Sequence, residues 1–496
     1  MLDAILIAYM AVLVIVGLIS ARNVKGERSY LVADRKLGAG VLGATLPATQ
    51  MSAGTAIGTV GFIAFYGYFY NWFWVALWTG WMISLLFVAP RMYEFGRTHD
   101  GMTIPDILGA RFGTVMRFIS AVALIGAFLL LFSAEYEGAA TVFKLVFDIS
   151  YVPAVLISAG VIAVYALLGG LFSVARNDLL QMAVFVVGYV AAGAYSMHAV
   201  GGFDGLQHKL ANINPELLEP FGNDLMSAGT LVGLSLGTMV TFIAYPLDAM
   251  KFYAAARRSV LLRAIWIGIG LQVVIGASLA FIGTAGRALR GDITTKTMDG
   301  TAPFVALHAM PPILGGLLMA AVLGAVMAVS SSIVMIVAAA FTHDILPTVM
   351  RRRQLSDRSR LRLERIVSGI AVIVGIVLAI NPIGAVGTII IIVQQFMAST
   401  FAVALIAALN WRRATTAGAV VSMCAGFAGV LIWYALGNPF DLAPVYLGLP
   451  LSLVGMVAVS LIPGTRPAPP VLPPPTMPLL ARLRRRSVPA SPAARQ

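Results

Sequence analysis

Apolar stretches of about twenty residues recur along the whole chain, and they constrain its fold more than any other feature. Such a stretch is long enough to cross the hydrocarbon core of a bilayer as an α-helix. We therefore predict an all-α integral membrane protein with about 13 transmembrane helices, counting one helix for each stretch of sufficient length. The predicted spans are 3–20, 40–66, 71–90, 117–146, 152–171, 178–199, 228–247, 264–285, 311–341, 366–382, 384–410, 415–436 and 446–463.

The composition excludes a soluble protein. Of the 496 residues, 59% are hydrophobic and 11% are charged, whereas soluble domains carry roughly 25% charged residues. The single cysteine, Cys424, excludes an intrachain disulfide framework, and the five histidines are scattered without a close pair, so we expect neither a zinc site nor an organic cofactor. The first apolar stretch has Asp3 as its one early charge, and we interpret it as a retained span, not a signal peptide.

Lysine and arginine residues are concentrated on one predicted side of the membrane. If the amino terminus lies outside, the cytoplasmic segments hold 29 of the 34 Lys and Arg residues. This bias follows the positive-inside rule and accounts for the net charge of +13 without a nucleic-acid partner. We therefore predict a multi-pass protein of the inner (plasma) membrane with an external amino terminus and a cytoplasmic carboxyl terminus. As partners we expect lipid and a small solute, with the chain a monomer or a weak homo-oligomer.

Two predicted spans carry helix-breaking residues near their middles. Span two, GATLPATQMSAGTAIGTVGF, contains Pro47 and Gly54, and span seven, GTLVGLSLGTMVTFIAYP, contains Gly237 and Pro246. Broken helices in transporters free backbone groups that bind solute and ion. The two spans lie five spans apart, as two inverted five-helix repeats would require. Close helix packing through small residues is the alternative interpretation.

Acidic residues inside the predicted spans are candidate functional groups, because a charge in the bilayer is costly unless it faces a cavity or a partner. Glu135 and Glu137 lie two residues apart in span four and point about 200° apart on a helix. Glu135 lies deeper in the span and is followed by Gly138, so Glu135 is the candidate for facing a central site. The alternative is a carboxyl group that is kept neutral or is paired for structural reasons. Asp178 stands at the start of span six. It is either a functional residue of the transport pathway or a helix N-cap beside Asn177.

Other polar residues leave two interpretations open. Asp248 and Lys251 are spaced for a local ion pair after span seven. Ser330, Ser331 and Ser332 in span nine offer the hard oxygen ligands that an alkali cation needs, although serine in a membrane helix also bonds its own carbonyl groups. In span eleven, Gln394 and Gln395 are solute ligands or interhelical hydrogen-bond partners.

Four stretches between about residue 30 and residue 425 resemble the sodium:solute symporter family. They are YLVADRKLGAGVLGATLPATQMSAGTAIG, GGLFSVARNDLLQ, AYPLDAMKFYAAAR and LNWRRATTAGAVVSMCAG. The second is close to the family's GG-x-x-(A/S)-V-x-x-T-D-x-x-Q signature, with Asn177 in place of Thr. The third departs from the family's segment at Ala244, which replaces Gly, and at Lys251, which replaces Arg.

The resemblance implies a leucine-transporter-like fold with five plus five inverted repeats and peripheral helices. The expected units are a peripheral first span and loop at 1–39, a ten-helix transport core at 40–414, two peripheral spans at 415–463 and a disordered basic, proline-rich tail at 464–496. The implied function is secondary active transport, with sodium-coupled symport of a small organic solute by alternating access. No covalent chemistry is implied, so we do not expect an enzyme.

The resemblance also implies a sodium ion between spans two and nine. The family's backbone ligands fall on Ala48, Met51 and Ala325, and the family adds two adjacent hydroxyl groups from span nine. This sequence has Ala328 and Val329 at those two positions. Ser330 and Ser331, which we include as sodium ligands, lie one or two residues further along the helix.

Solute-site residues follow from the same mapping. We expect the solute to contact Gln50, Ser52, Thr55, Glu135, Thr238, Thr241, Phe242 and Gln395. Asp178 falls on the signature acid that the family ties to ion and solute passage. Proton coupling through Glu135 or Asp178 is the alternative mechanism, and a transporter-like solute sensor is the alternative of another class. The identity of the solute stays open.

Overall fold

A computed structural model describes residues 2–21, 27–222, 224–349, 356–382 and 384–473. Within these ranges the chain is helical apart from its connections and one isolated β-bridge between Leu37 and Ala255, which confirms the all-α prediction. The main helices, with uninterrupted neighbours joined, are Leu2–Ala21, Ala39–Ala48, Gly54–Tyr66, Trp72–Thr98, Ile104–Phe112, Thr114–Phe147, Tyr151–Ala199, Gly202–Ile213, Ala228–Ile243, Pro246–Ala254, Arg258–Leu289, Thr301–Ala309, Pro312–Val349, Asp357–Ile380, Val386–Asn410, Thr416–Ala435 and Val445–Ser460.

Nine helices in the described part of the chain are long and apolar enough to cross a membrane, and four shorter apolar helices accompany them. The multi-pass architecture is therefore as predicted, while the count of thirteen spans and the orientation of the termini stay predictions. The tail beyond residue 473 lies outside the described residues.

The Tyr151–Ala199 segment contains two predicted spans, which meet at a kink at Gly170. Gly170 has φ 54° and ψ −166°, a backbone conformation that side-chain-bearing residues rarely adopt. A Cβ atom there would also lie 2.9 Å from the Cα atom of Tyr30. The kink starts the second helix at Gly170, so Asp178 lies two turns inside that helix. The N-cap interpretation of Asp178 is therefore wrong.

The Pro312–Ala339 helix forms the centre of the bundle. It is apolar on all sides, and its most apolar segment is fully buried, as expected for a helix surrounded by other helices. Its largest packing surfaces face the Tyr151–Ala199 and Thr114–Phe147 helices. This helix carries Ser330 and Ser331 in regular α-helical geometry, so no local rewinding turns them toward the positions of Ala328 and Val329.

Two glycines bring the first broken helix, Ala39–Tyr66, against the Val386–Met397 helix. A Cβ atom added to Gly58 would lie 2.6 Å from the Cα atom of Gly387, and this neighbour is backbone that cannot rotate away. Gly58→Ala should therefore lower the stability by about 1–3 kcal/mol, the usual cost of overpacking. Thermal unfolding of the purified protein measures this change. Gly126→Ala is the matched control, because a Cβ atom there meets nothing within 4 Å; equal losses in both variants would contradict the expectation.

Candidate functional site

The first helix break lies at residues 49–52, between Ala48 and the helical segment that resumes at Ala53. Pro47 stands in the last turn before it, and its carbonyl accepts bonds from the backbone N–H groups of Gln50 at 3.0 Å and Met51 at 3.2 Å. These short-range bonds replace the regular ladder and turn the chain out of the helix. The predicted break in span two is therefore present in the structure.

Side chains cap the first backbone N–H groups of the helix that resumes after the break. The Ser52 hydroxyl accepts from the Thr55 N–H at 3.2 Å, and the Thr55 hydroxyl donates to the Gln50 carbonyl at 2.7 Å. The Glu135 carboxylate accepts from the Ala53 N–H at 2.8 Å, while its other oxygen is buried without a partner among the described residues. An acid at this place also complements the positive end of a helix.

The second break separates Ala228–Ile243 from Pro246–Ala254. The Ala244 N–H donates to the Thr241 carbonyl at 3.0 Å, which closes the first segment, and Tyr245 is extended. Pro246 begins the second segment, where its missing N–H group costs no helical hydrogen bond. The predicted break in span seven is also present, and Gly237 lies inside the first segment.

One carboxylate connects the two breaks. Asp248, which follows the second break, accepts from the Gln50 side-chain amide at 2.8 Å and from the Thr49 hydroxyl at 3.3 Å in the first break. It also accepts from the Trp81 indole N–H at 2.9 Å. Asp248 is fully buried. The two interruptions therefore meet inside the bundle, and Asp248 holds them together.

Lys251 makes a second connection, which differs from the local ion pair predicted with Asp248. Its ammonium lies 3.1 Å from the Asp178 carboxylate and donates to the Thr45 carbonyl at 2.6 Å. The Thr45 hydroxyl also donates to Asp178. Asp248 is already saturated by uncharged donors from the first break, so Lys251 turns to another helix. The prediction of a local Asp248–Lys251 pair is therefore wrong.

A cavity lies beside the two breaks. The cavity is narrow, with a volume of about 30 Å³. None of the described side chains that line it is charged. Its polar wall consists of Gln50, Ser52, Thr55, Thr59, Thr241 and Gln394, and its larger apolar and aromatic wall includes Phe62, Tyr70, Phe73, Phe128, Phe242 and Tyr245. Such a mixed lining suits a small organic molecule with one apolar part and a few hydrogen-bonding groups.

Of the eight predicted solute-site residues, five line this cavity: Gln50, Ser52, Thr55, Thr241 and Phe242. The other three are buried beside it. Glu135 caps the resumed helix, and Thr238 donates to the Gln394 side chain at 2.8 Å. Gln395 accepts from the Val445 N–H at 3.2 Å, so its neighbour Gln394 is the glutamine in the lining.

Apart from Phe242, the aromatic wall was not selected from the sequence. Phe62, Tyr70, Phe73 and Phe128 lie in apolar helices where an aromatic residue facing lipid and one facing a cavity have the same pattern. Helical spacing could have indicated one of them. Phe128 and Leu131 lie on the same face of the Thr114–Phe147 helix as Glu135, and both line the cavity.

Two of the predicted sodium ligands, Ala48 and Met51, lie at the first break, and the other three lie in the Pro312–Ala339 helix. Ala48, Met51 and Ala325 are fully buried, and the Ala48 carbonyl accepts from the Met51 N–H at 3.3 Å. The Ser331 hydroxyl donates to the Ala328 carbonyl at 2.9 Å, one turn back in its own helix. The Ser330 hydroxyl is buried without a partner among the described residues and is free for another ligand.

A second cluster of charges lies at one end of the bundle, away from the cavity. Arg117 pairs with Asp106 and with Asp344, the latter at 2.9 Å, and His343 contacts Asp106 at 2.9 Å. The Thr103 hydroxyl donates to Asp344. Asp106, His343 and Asp344 are close enough to hold a metal ion. Because Arg117 already occupies both carboxylates, the arrangement fits a charge network better than a metal centre.

Comparisons with known proteins indicate similarity to membrane transporters of small solutes. A family model described as the Sodium:solute symporter family matches residues 30–426 of this chain. The osmoregulated proline transporter OpuE of Bacillus subtilis (strain 168) is 25% identical over 472 residues, which cover 93% of this chain and 94% of that protein. The sodium/pantothenate symporter of Haemophilus influenzae is 23% identical over 449 residues, which cover 88% and 91% of the two chains.

Among solved structures, the chain is similar to a substrate-bound, outward-open Na⁺-coupled sialic acid symporter. The TM-score is 0.79 at 18% identity, and the match covers 95% of this chain and 98% of that one. At this identity the similarity concerns the fold, and it confirms the predicted leucine-transporter-like architecture.

Proposed function

Since the chain belongs to the sodium:solute symporter family, we propose that it moves a small organic solute across the membrane together with sodium. The observation that carries the proposal is the meeting of two helix breaks at Asp248 beside an uncharged cavity. Both breaks expose backbone groups at the depth where a solute must be held halfway across the bilayer.

The site supports coupling through the first broken helix. It supplies Gln50, Ser52 and Thr55 to the cavity, and its Ala39–Ala48 segment packs against the central Pro312–Ala339 helix. Sodium bound between these two helices fixes the break in the geometry that receives the solute. The free energy of this coupling acts in both directions, so solute must tighten sodium binding by the same factor.

The candidate sodium ligands are the backbone carbonyls of Ala48, Met51 and Ala325, with Ser330 and Ser331 as the hydroxyl groups. A backbone carbonyl at a helix break is a suitable hard ligand. The unpaired Ser330 hydroxyl supports this assignment, because a buried hydroxyl without a partner is costly and a cation relieves that cost.

Uptake into proteoliposomes tests the proposal. L-proline, pantothenate and sialic acid are the first probes, since similar proteins are named for these solutes. We expect an inward sodium gradient to drive accumulation of at least one small solute above its equilibrium level. Accumulation driven by a pH gradient alone, and lost in Glu135→Gln, would instead establish proton coupling. Solute binding without flux would establish a sensor.

Val329→Thr tests the sodium site directly. The change keeps the shape of the side chain and places a hydroxyl where the family supplies one, so we expect the half-saturating sodium concentration to fall several-fold. Sodium-dependent thermal stabilisation of the purified protein measures it. Val334→Thr is the matched control, because Val334 is equally buried and points about 140° away on the same helix. An unchanged sodium affinity in Val329→Thr would place the ion elsewhere.

A further inference from the structure

The two broken helices present two helix N-termini inside the bundle, and each already carries a carboxylate of this chain. At the first break, Glu135 accepts from the Ala53 N–H at 2.8 Å. At the second break, Asp248 lies in the first turn of Pro246–Ala254. A helix N-terminus attracts an anion, and broken-helix transporters use such ends for the anionic groups of their substrates. Because the chain fills both ends itself, neither is open to a carboxylate on the solute.

Glu135 lacks a compensating charge. Close packing holds it in place, since a Cβ atom added to Gly138 would lie 2.5 Å from the Ala53 Cβ. The Glu135 side chain is fully buried, and no lysine or arginine in the described ranges forms an ion pair with it. Its second oxygen is buried without a hydrogen-bond partner there. A buried carboxylate without a cation is costly, so a proton or a cation from outside the chain must supply the missing charge.

Gln50 adds a second free acceptor at the same break. Its amide nitrogen donates to Asp248 at 2.8 Å, which turns the amide oxygen away from that carboxylate. This oxygen is buried and unpartnered in the described part of the chain, although Gln50 lines the cavity. Glu135 is close to the same space, because Leu131, one turn earlier on its helix, and Tyr245, within electrostatic range of its carboxylate, both line the cavity. A proton on Glu135 would leave the Gln50 oxygen unsatisfied, whereas a solute with several N–H groups can serve both.

Aromatic rings form much of the remaining cavity wall. Phe62, Tyr70 and Phe73 follow one another with ring centroids 5.2 Å and 5.3 Å apart, and all three line the cavity. Aromatic faces attract cations, and the attraction is stronger where the cation is desolvated. The described lining contains no positive side chain that would repel a cation or pair with a carboxylate. The wall therefore favours a positively charged solute over a negatively charged one.

We infer that the transported solute is a small organic cation without a carboxylate, and that Glu135 is its counter-ion. The N–H groups of its ammonium bind the free oxygens of Glu135 and Gln50, and its apolar part packs on the aromatic wall. This inference rests on the proposed transport function, which it narrows by naming the chemical class of the solute. It predicts discrimination against amino acids, whose carboxylate would meet two helix ends that are already acidic.

Ligand-induced thermal stabilisation of the purified full chain in sodium tests the solute class. The probes are amines, each compared with its parent amino acid: pyrrolidine with L-proline, isobutylamine with L-valine, and phenethylamine with L-phenylalanine. The members of each pair differ only in the carboxylate. At least one amine should stabilise the protein at a concentration about ten-fold or more below that required by its parent. A parent amino acid that binds as tightly as its amine, or a panel in which no amine binds, would overturn the inference.

Glu135→Gln tests the counter-ion, while the paired comparison above needs no variant to fold. This change keeps an acceptor for the Ala53 N–H but removes the charge. Amine affinity should fall about ten-fold or more, as when a buried charge pair loses one partner. Glu137→Gln is the matched control, because Glu137 points about 200° away on the same helix, and it should bind amines normally. Amine binding that survives Glu135→Gln would overturn the assignment of Glu135 as the counter-ion.

Uptake into proteoliposomes separates this inference from the proposed function. Amines that bind but do not accumulate in a sodium gradient would defeat the proposed coupling and leave the solute class standing. Sodium-driven accumulation of L-proline by a protein that binds no amine would support the coupling and overturn the solute class.

Discussion

Asp248→Ala should abolish transport and destabilise the protein by about 3–5 kcal/mol, the cost of leaving buried polar partners uncompensated. The change removes the one acceptor shared by Thr49, Gln50 and Trp81. These donors are buried, so the Gln50 amide and the Trp81 indole each lose their acceptor inside the bundle, while the Thr49 hydroxyl keeps its bond to the Leu46 carbonyl. Lys251 also loses a neighbouring negative charge. Thermal unfolding and solute uptake in proteoliposomes measure the two effects.

Asp292→Ala is the matched control for Asp248→Ala. Asp292 also forms an ion pair, with Arg290 at 3.2 Å, but its side chain is 83% exposed. Exposed pairs contribute about 0–1 kcal/mol, so this variant should keep both stability and transport. Normal transport by Asp248→Ala would show that the two breaks do not depend on their shared carboxylate.

Arg117→Ala should have the second-largest effect, again about 3–5 kcal/mol, because it leaves two buried carboxylates without their common cation. Arg117 contacts Asp106, Asp344 and the His343 carbonyl, the last two at 2.9 Å. This network joins the Ile104–Phe112 helix to the end of the Pro312–Val349 segment. Denaturation of the purified protein measures the loss, and Arg28→Ala, which removes an exposed pair with Asp100, is the control.

The pH dependence of the same variant gives a second readout. Burial alone would raise the pKa of Asp106, but the charge and hydrogen bond of His343 and the charge of Arg117 outweigh it, and the pKa falls to about 2 from 3.8. A lowered acid pKa adds stability above the ordinary value of 3.8, and this stability is lost as the pH falls toward 2. In Arg117→Ala the pKa of Asp106 should move upward, so the stability lost on acidification should be smaller and its loss should be complete at a higher pH. If the unaltered protein and Arg117→Ala lost stability identically at low pH, Arg117 would not be what lowers the pKa of Asp106.

The sequence was sufficient to predict the helical class and both helix breaks. A bilayer demands long apolar segments, and Pro47 and Pro246 remove backbone donors wherever they stand. Three of the five predicted solute-site residues that line the cavity do so for a related reason. Gln50 and Ser52 belong to the first break and Thr55 to the first helical turn after it, so their place follows from the local chain.

Features that depend on contacts between distant segments were beyond prediction. Lys251 lies one turn after Asp248, which favours a local pair, but its partner Asp178 is 73 positions away in the sequence. Gln394 and Gln395 are adjacent, and helix rotation alone decides which of them faces the cavity. The helix that contains Asp178 likewise begins at the Gly170 kink, upstream of the start at Asp178 that the sequence suggested.

The contact of Gly58 with Gly387 bears on how such a transporter can move at all. Most helix pairs interlock through side chains, and sliding them requires every ridge to leave its groove. Here two bare backbones touch, with no side chain to withdraw and no rotamer to change. At this contact the first broken helix can change its tilt against its neighbour without any side chain changing its rotamer.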